Sequence, residues 1–81
     1  MISIVPYITT DEQLVATKLA VSVDNLTNVS VDAIWSLYDE NDEPVDNGRY
    51  SLAGGDFAAW QADAGYAVTY VMQQKSLTAL N

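Results

Sequence analysis

The stretch SLYDENDEPVDNGRYSL, residues 36–52, holds the densest set of chemically active side chains in the chain. Asp39, Glu40, Asp42, Glu43 and Asp46 place five carboxylates within eight positions, between two apolar flanks. Carboxylates at such spacing can hold a hard cation, work as an acid–base pair, or imitate nucleic-acid phosphates. A calcium loop needs oxygen ligands at alternating positions, glycine at its sharp turn and a carboxylate at its close. Counted from Asp39, the turn position falls on Pro44 and the closing position on Tyr50. Counted from Asp42, the second ligand position is Pro44, which has no ligating side chain. The motif fails in both registers, and the run reads as the wet tip of a hairpin.

Other catalytic and binding chemistry is poorly supplied. The chain has neither histidine nor cysteine, so serine and cysteine triads, thiolate–metal sites and disulfides cannot be built. Carboxylate pairs that cleave glycosides need a cleft, which a chain of 81 residues seldom forms. Gly54-Gly55 matches neither dinucleotide nor P-loop spacing and suits a strand-to-helix corner instead. Asn25-Leu26-Thr27 and Asn28-Val29-Ser30 match the N-glycosylation pattern, and we expect that match to be chance, since MISIVPYITTDEQ does not read as a secretion signal. We expect no catalytic residues, no metal, no cofactor and no small-molecule substrate.

The net charge is −8, from eleven Asp and Glu against Lys18, Arg49 and Lys75. Phosphate backbones and anionic membranes should repel such a chain, and no apolar run approaches a membrane span. Direct nucleic-acid and membrane partners are therefore not expected. A nucleic-acid mimic is the sharper reading of the charge, but it needs carboxylates spaced along one face. Here they cluster in one turn, with others scattered at Asp11, Glu12, Asp24, Asp32, Asp56 and Asp63. Solubility is the simpler role for them.

The elements that must carry these residues follow from periodicity. ISIVPYIT, residues 2–9, is β-branched and aromatic but contains Pro6, which marks an edge strand or an extended arm over residues 1–12. Residues 14–23 alternate, with Val15, Thr17, Leu19, Val21 and Val23 on one face. Residues 29–38 alternate again, with Val29, Val31, Ala33, Trp35 and Leu37 together. Asn41-Asp42 is the expected hairpin tip, and PVDNGRYSL the returning strand, with Asn47-Gly48 a bulge or second turn. The strands form a meander over residues 13–53.

From residue 54 the alternation stops. Asp56 can cap a helical turn over FAAW, and Asp63 a helix over 64–75 with Ala64, Ala67, Val68, Val71 and Met72 as its apolar stripe. Lys75 sits in the last turn, where a cation suits the helix dipole. Residues 76–81 read as a loose tail. The expected fold is α+β: one domain over residues 1–81, with a small antiparallel sheet of three to four strands, a helical segment over 54–75 and a C-terminal helix.

A core this small supplies only about 3–5 kcal/mol, so association with copies of itself or a larger assembly is a natural source of stability. Tyr66 and Tyr70 flank the helix stripe, and tyrosine favours interfaces because it adds contact area with little entropy loss. Ile2, Ile4, Val5 and Tyr7 on the N-terminal segment, with Tyr66 and Tyr70, are the candidate protein-interface residues.

Trp35, Leu37, Asp39 and Glu40, then Gly55, Asp56, Phe57 and Trp60, then Tyr66 to Met72, form a further pattern. A hairpin of the type W-x-L-x-D-E, a G-x-D/E-[YF]-x-x-W corner and a closing helix recur in this order in small bacteriophage virion proteins. From Ala33 to Leu80 the chain resembles that family. Where those proteins have glycine in the helix-ending segment, this chain has Lys75-Ser76-Leu77. The resemblance implies a non-enzymatic structural component of a phage particle, associated with capsid or tail. Its expected partners are other virion proteins and copies of itself, and it would reside in the virion after synthesis in the host cytoplasm. The alternative is a phage-encoded acidic inhibitor that mimics nucleic acid.

Overall fold

The computed structural model describes residues 2–8 and 14–80. Four strands, β1 (Ile2–Ile8), β2 (Val15–Asp24), β3 (Ser30–Tyr38) and β4 (Pro44–Ala53), form one antiparallel sheet in sequence order. Two helices follow, α1 (Gly55–Ala62) and α2 (Tyr66–Lys75). The α+β class and the C-terminal helix match the sequence expectation.

The alternation of β3 sets the layer arrangement. Val31, Ala33, Trp35 and Leu37 are buried, while the residues between them stay half-exposed. The register places Val21 opposite Trp35, Leu19 opposite Leu37 and Leu52 opposite Val31. Directly paired residues share a face, so one side of the sheet becomes apolar across three strands. α2 covers it with Ala67 and Val71, and α1 adds Phe57. Ile4, Leu19, Val31, Leu37, Leu52 and Val71 are the largest fully buried side chains. Each contributes about 1.5–3 kcal/mol through removal from water.

Three local features depart from simple alternation. In β1 the step from Ser3 to Tyr7 faces only the step from Ala16 to Lys18 in β2. Pro6 lies inside that irregular stretch and has no N–H to give the ladder. Opposite it in β2, burial passes from Ala16 to Leu19, a spacing no regular strand produces. Val15 and Thr17 therefore do not join Leu19 on the buried face, as a strict period of two predicts. At the far end of β3, Leu37 pairs with Asp46 but Tyr38 pairs with Pro44, which leaves Val45 without a direct partner.

Gly48 makes neither bulge nor turn. It sits inside β4, opposite Trp35, and a Cβ there would lie 2.6 Å from Trp35 Cζ2. Glycine is required so that the indole can lie against the strand. Gly54 does supply the expected corner: its φ of 60° with ψ of −127° is open to glycine and strained for other residues. The hairpin tip also falls where expected, with Asp42 at φ 62°. Asp39 Oδ1 accepts the Asn41 and Glu43 backbone N–H groups at 2.8 and 3.0 Å, which closes the turn.

Helix α1 runs past the expected FAAW turn, and α2 begins two residues later than predicted. Asp63 does not cap α2: its carboxylate accepts the Gly65 N–H at 3.0 Å and shapes the connection instead. The tail is not loose over its described length. Val5 N–H donates to Thr78 O at 2.8 Å and Leu80 N–H to Ser3 O at 2.9 Å, around an Ile4–Ala79 bridge. Ser76, in the left-handed region at φ 56°, turns the chain out of α2 towards β1.

The Trp35–Gly48 contact is checked by Gly48→Ala, expected to cost about 1–3 kcal/mol in urea unfolding because the indole must shift. Gly55→Ala, with no atom within 4 Å of the new Cβ, should leave stability within about 0.5 kcal/mol.

Candidate functional site

A sheet edge exposes backbone N–H and C=O groups that only another extended chain can pair in register. The two edges of this sheet differ. The β1 edge is covered from Ser3 to Val5 by Thr78–Leu80 of the same chain. Among the described residues, no segment pairs with the outer side of β4. Its N-terminal half is guarded: Pro44 starts the strand, Val45 interrupts the ladder, and Asp46 Oδ1 accepts the Asn47 N–H at 2.9 Å. The regular stretch from Arg49 to Ala53 has no such guard.

Beside this edge runs a line of aromatic rings. Trp35 stacks on Tyr50 with centroids 6.3 Å apart, Tyr50 meets Tyr70 edge-on at 5.8 Å, and Tyr70 contacts Tyr66 at 6.2 Å. Such pairs contribute about 0.5–1.5 kcal/mol beyond area burial. Tyr50, Tyr66 and Tyr70 are half-buried and keep part of each ring in water. Tyr66 is further fixed by its hydroxyl, which donates to Asp56 Oδ1 at 2.6 Å and ties α2 to α1. This hydrogen bond, followed by desolvation and the Asp56 charge, raises the Tyr66 pKa above its ordinary value of 10.0.

The structure separates the sequence-predicted interface residues. Tyr66 and Tyr70 stand together on the aromatic flank. Ile2, Ile4, Val5 and Tyr7 belong to β1, at the opposite side of the sheet, rather than to a free arm; residues 1 and 9–12 of the expected arm lie outside the described residues. Ile4, at 1% exposure, is part of the chain's own core, and Ile2 and Tyr7 pack against that core. Val5 is 44% exposed.

All three cations are engaged within the fold. Lys18 pairs with Asp42, and Arg49 with Asp32 at 3.2 Å. Asp32 stands directly opposite Asp24, so Arg49, together with the Asn25 amide at 3.0 Å, offsets a like-charge pair. The Lys75 ammonium lies 4.2 Å from the Trp35 ring centroid and 5.6 Å from that of Tyr7. In the sequence, Lys75 reads only as a cation suited to the helix dipole. Its contact with Trp35 depends on tertiary packing and leaves no local signal.

Among the described residues, no group of three or more acidic side chains is arranged to hold a metal, and no helix is long and apolar enough to cross a membrane. Comparison with protein-family models, with curated proteins and with solved structures returned no match for this chain.

Two measurements check these assignments. The neutral phenol is the form of Tyr66 that donates to Asp56, so its stabilising effect is complete below pH 10.0 and disappears as pH rises through the raised pKa. Phenolate absorbance should show a component above pH 10.0 that Tyr66→Phe removes; a missing component located at or below that pH contradicts the bond. Lys75→Met should shift Trp35 fluorescence and cost about 0.5–2 kcal/mol through loss of the cation–π contact.

Proposed function

We propose that this chain is a non-enzymatic structural component of a bacteriophage particle, residing in the virion and docking on capsid or tail proteins. The resemblance carried by Trp35, Leu37, the Gly55–Trp60 corner and the Tyr66–Met72 helix supports the phage context. The single observation that supports docking is the difference between the two sheet edges. The chain covers its β1 edge around Ile4 with its own tail and, among the described residues, leaves the regular half of β4 unpaired beside Tyr50, Tyr66 and Tyr70. A strand of a neighbouring protein added there would gain backbone hydrogen bonds and cover the tyrosine faces.

Mimicry of nucleic acid has weaker support. Asp39 to Asp46 gather around one hairpin, Asp24 and Asp32 lie at the opposite end of the β2–β3 ladder, and Asp63 lies between the helices. That distribution does not make a phosphate-like row.

Mass spectrometry of purified particles of the encoding phage should find the chain at fixed stoichiometry. Its absence from particles, together with binding to a basic host enzyme that weakens steeply with salt, would overturn this reading in favour of the inhibitor.

A further inference from the structure

Beyond the end of β3, the loop Asp39–Glu43 reaches across to the start of β2. Lys18 anchors it there, with its ammonium on the Asp42 carboxylate and donating to Glu40 O at 3.4 Å. Between loop and strands lies a groove of about 390 Å³, lined by Pro6, Val15, Thr17, Asp39, Glu40 and Asn41. One wall is apolar and the other acidic. The apolar wall continues outward, because Ile8 stands directly opposite Val15 in the ladder and shares its face. Val15 is 45% exposed and Ile8 64%, and together they form an apolar patch beside carboxylates.

The charge on this loop is unbalanced. Lys18 pairs with Asp42, and no ion pair within the described residues engages Asp39, Glu40, Glu43 or Asp46. The loop already shows how it receives an ammonium: a carboxylate and a backbone carbonyl together hold Lys18.

We propose that this groove docks a lysine or arginine side chain of a partner protein, with flanking apolar residues of that partner resting on Val15 and Ile8. The aliphatic stem would lie along Pro6 and Val15 and the cationic head at Glu40 and Asp39, since long basic side chains cover apolar surface while keeping the charge in a polar setting. A second copy of this chain does not fit as occupant. Its cations, Lys18, Arg49 and Lys75, are all engaged within the fold. Nucleic acid does not fit because the acidic wall repels phosphate. The inference rests on the reading of the chain as an association protein and adds a second docking surface whose partner is basic.

The test is an NMR titration of the isotopically labelled chain with the peptide acetyl-Lys-Leu-Lys-Leu-Lys-amide, beside the matching Glu-Leu peptide. Saturable shifts centred on Thr17 and Asp39–Asn41 with the lysine peptide alone are expected. Glu40→Gln should weaken binding about two- to fivefold, in line with one exposed charge pair. Val15→Lys should weaken it about tenfold, through lost apolar contact and added repulsion. Asp63→Asn, at the connection between the helices, should leave affinity unchanged. Shifts spread equally over Asp24, Asp56 and Asp63, no saturable shifts, or an unaltered affinity in Val15→Lys would overturn the proposal. These outcomes are independent of particle composition: a chain found in virions that ignores the peptide loses the groove but keeps its structural role. A chain absent from virions that binds the peptide keeps the groove and loses the particle.

Discussion

The fold is organised around the Trp35 side chain. One side of the indole rests on Gly48, where any side chain would collide, and the Lys75 ammonium lies over the ring. Tyr50 stacks beside it. These contacts connect β3, β4 and the end of α2 at one residue. The indole N–H is buried without a hydrogen-bond partner, which costs about 1–3 kcal/mol. The surrounding ring and cation contacts must exceed that cost for the indole to stay where it is. In a domain with so small a core, this cluster joins the sheet to the end of α2.

Placing Trp35 there has consequences at both sheet edges. α2 must end with Lys75 over the indole, and the left-handed Ser76 then directs the tail onto β1. The chain's last described residues thus cover one edge around Ile4. The opposite edge, β4, receives nothing comparable, because α1 leaves it directly through the Gly54 corner and packs on the buried face. Among the described residues, one edge strand of the sheet is left unpaired while the edge strand at the far side is covered around Ile4.

Much of this was legible in the sequence. The two alternating runs identified β2 and β3, and of the face expected from a period of two, Val31, Ala33, Trp35 and Leu37 are buried while Val29 precedes the strand and is exposed. Asn41-Asp42 marked the hairpin tip because those residues tolerate a left-handed backbone. The phase break between Ala16 and Leu19 was not legible, since β2's own residues keep alternating across it while it coincides with the irregular pairing to β1 between Ser3 and Tyr7. Gly48 was readable as an exceptional position but not as a packing site, because the atom that demands it belongs to another strand. The tail's pairing with β1 was hidden for the same reason: Thr78–Leu80 carry no strand signal and are fixed by where α2 ends. Of the candidate interface residues, Tyr66 and Tyr70 stay half-exposed, whereas Ile4 was assigned outward and lies inward. An apolar residue on an edge strand looks the same in sequence whether its face meets the core or a neighbour.

The proposed docking requires β4 to be an unpaired edge in the isolated chain and a paired one in the assembly. Hydrogen exchange measured residue by residue, on the free chain and on the particle-bound chain, addresses this directly. In the free chain the outward amides between Arg49 and Ala53 should exchange quickly while those of β3 stay protected, and in the particle the β4 amides should become protected as well. Strong protection of those β4 amides in the free monomer, or their rapid exchange in the particle, would contradict it.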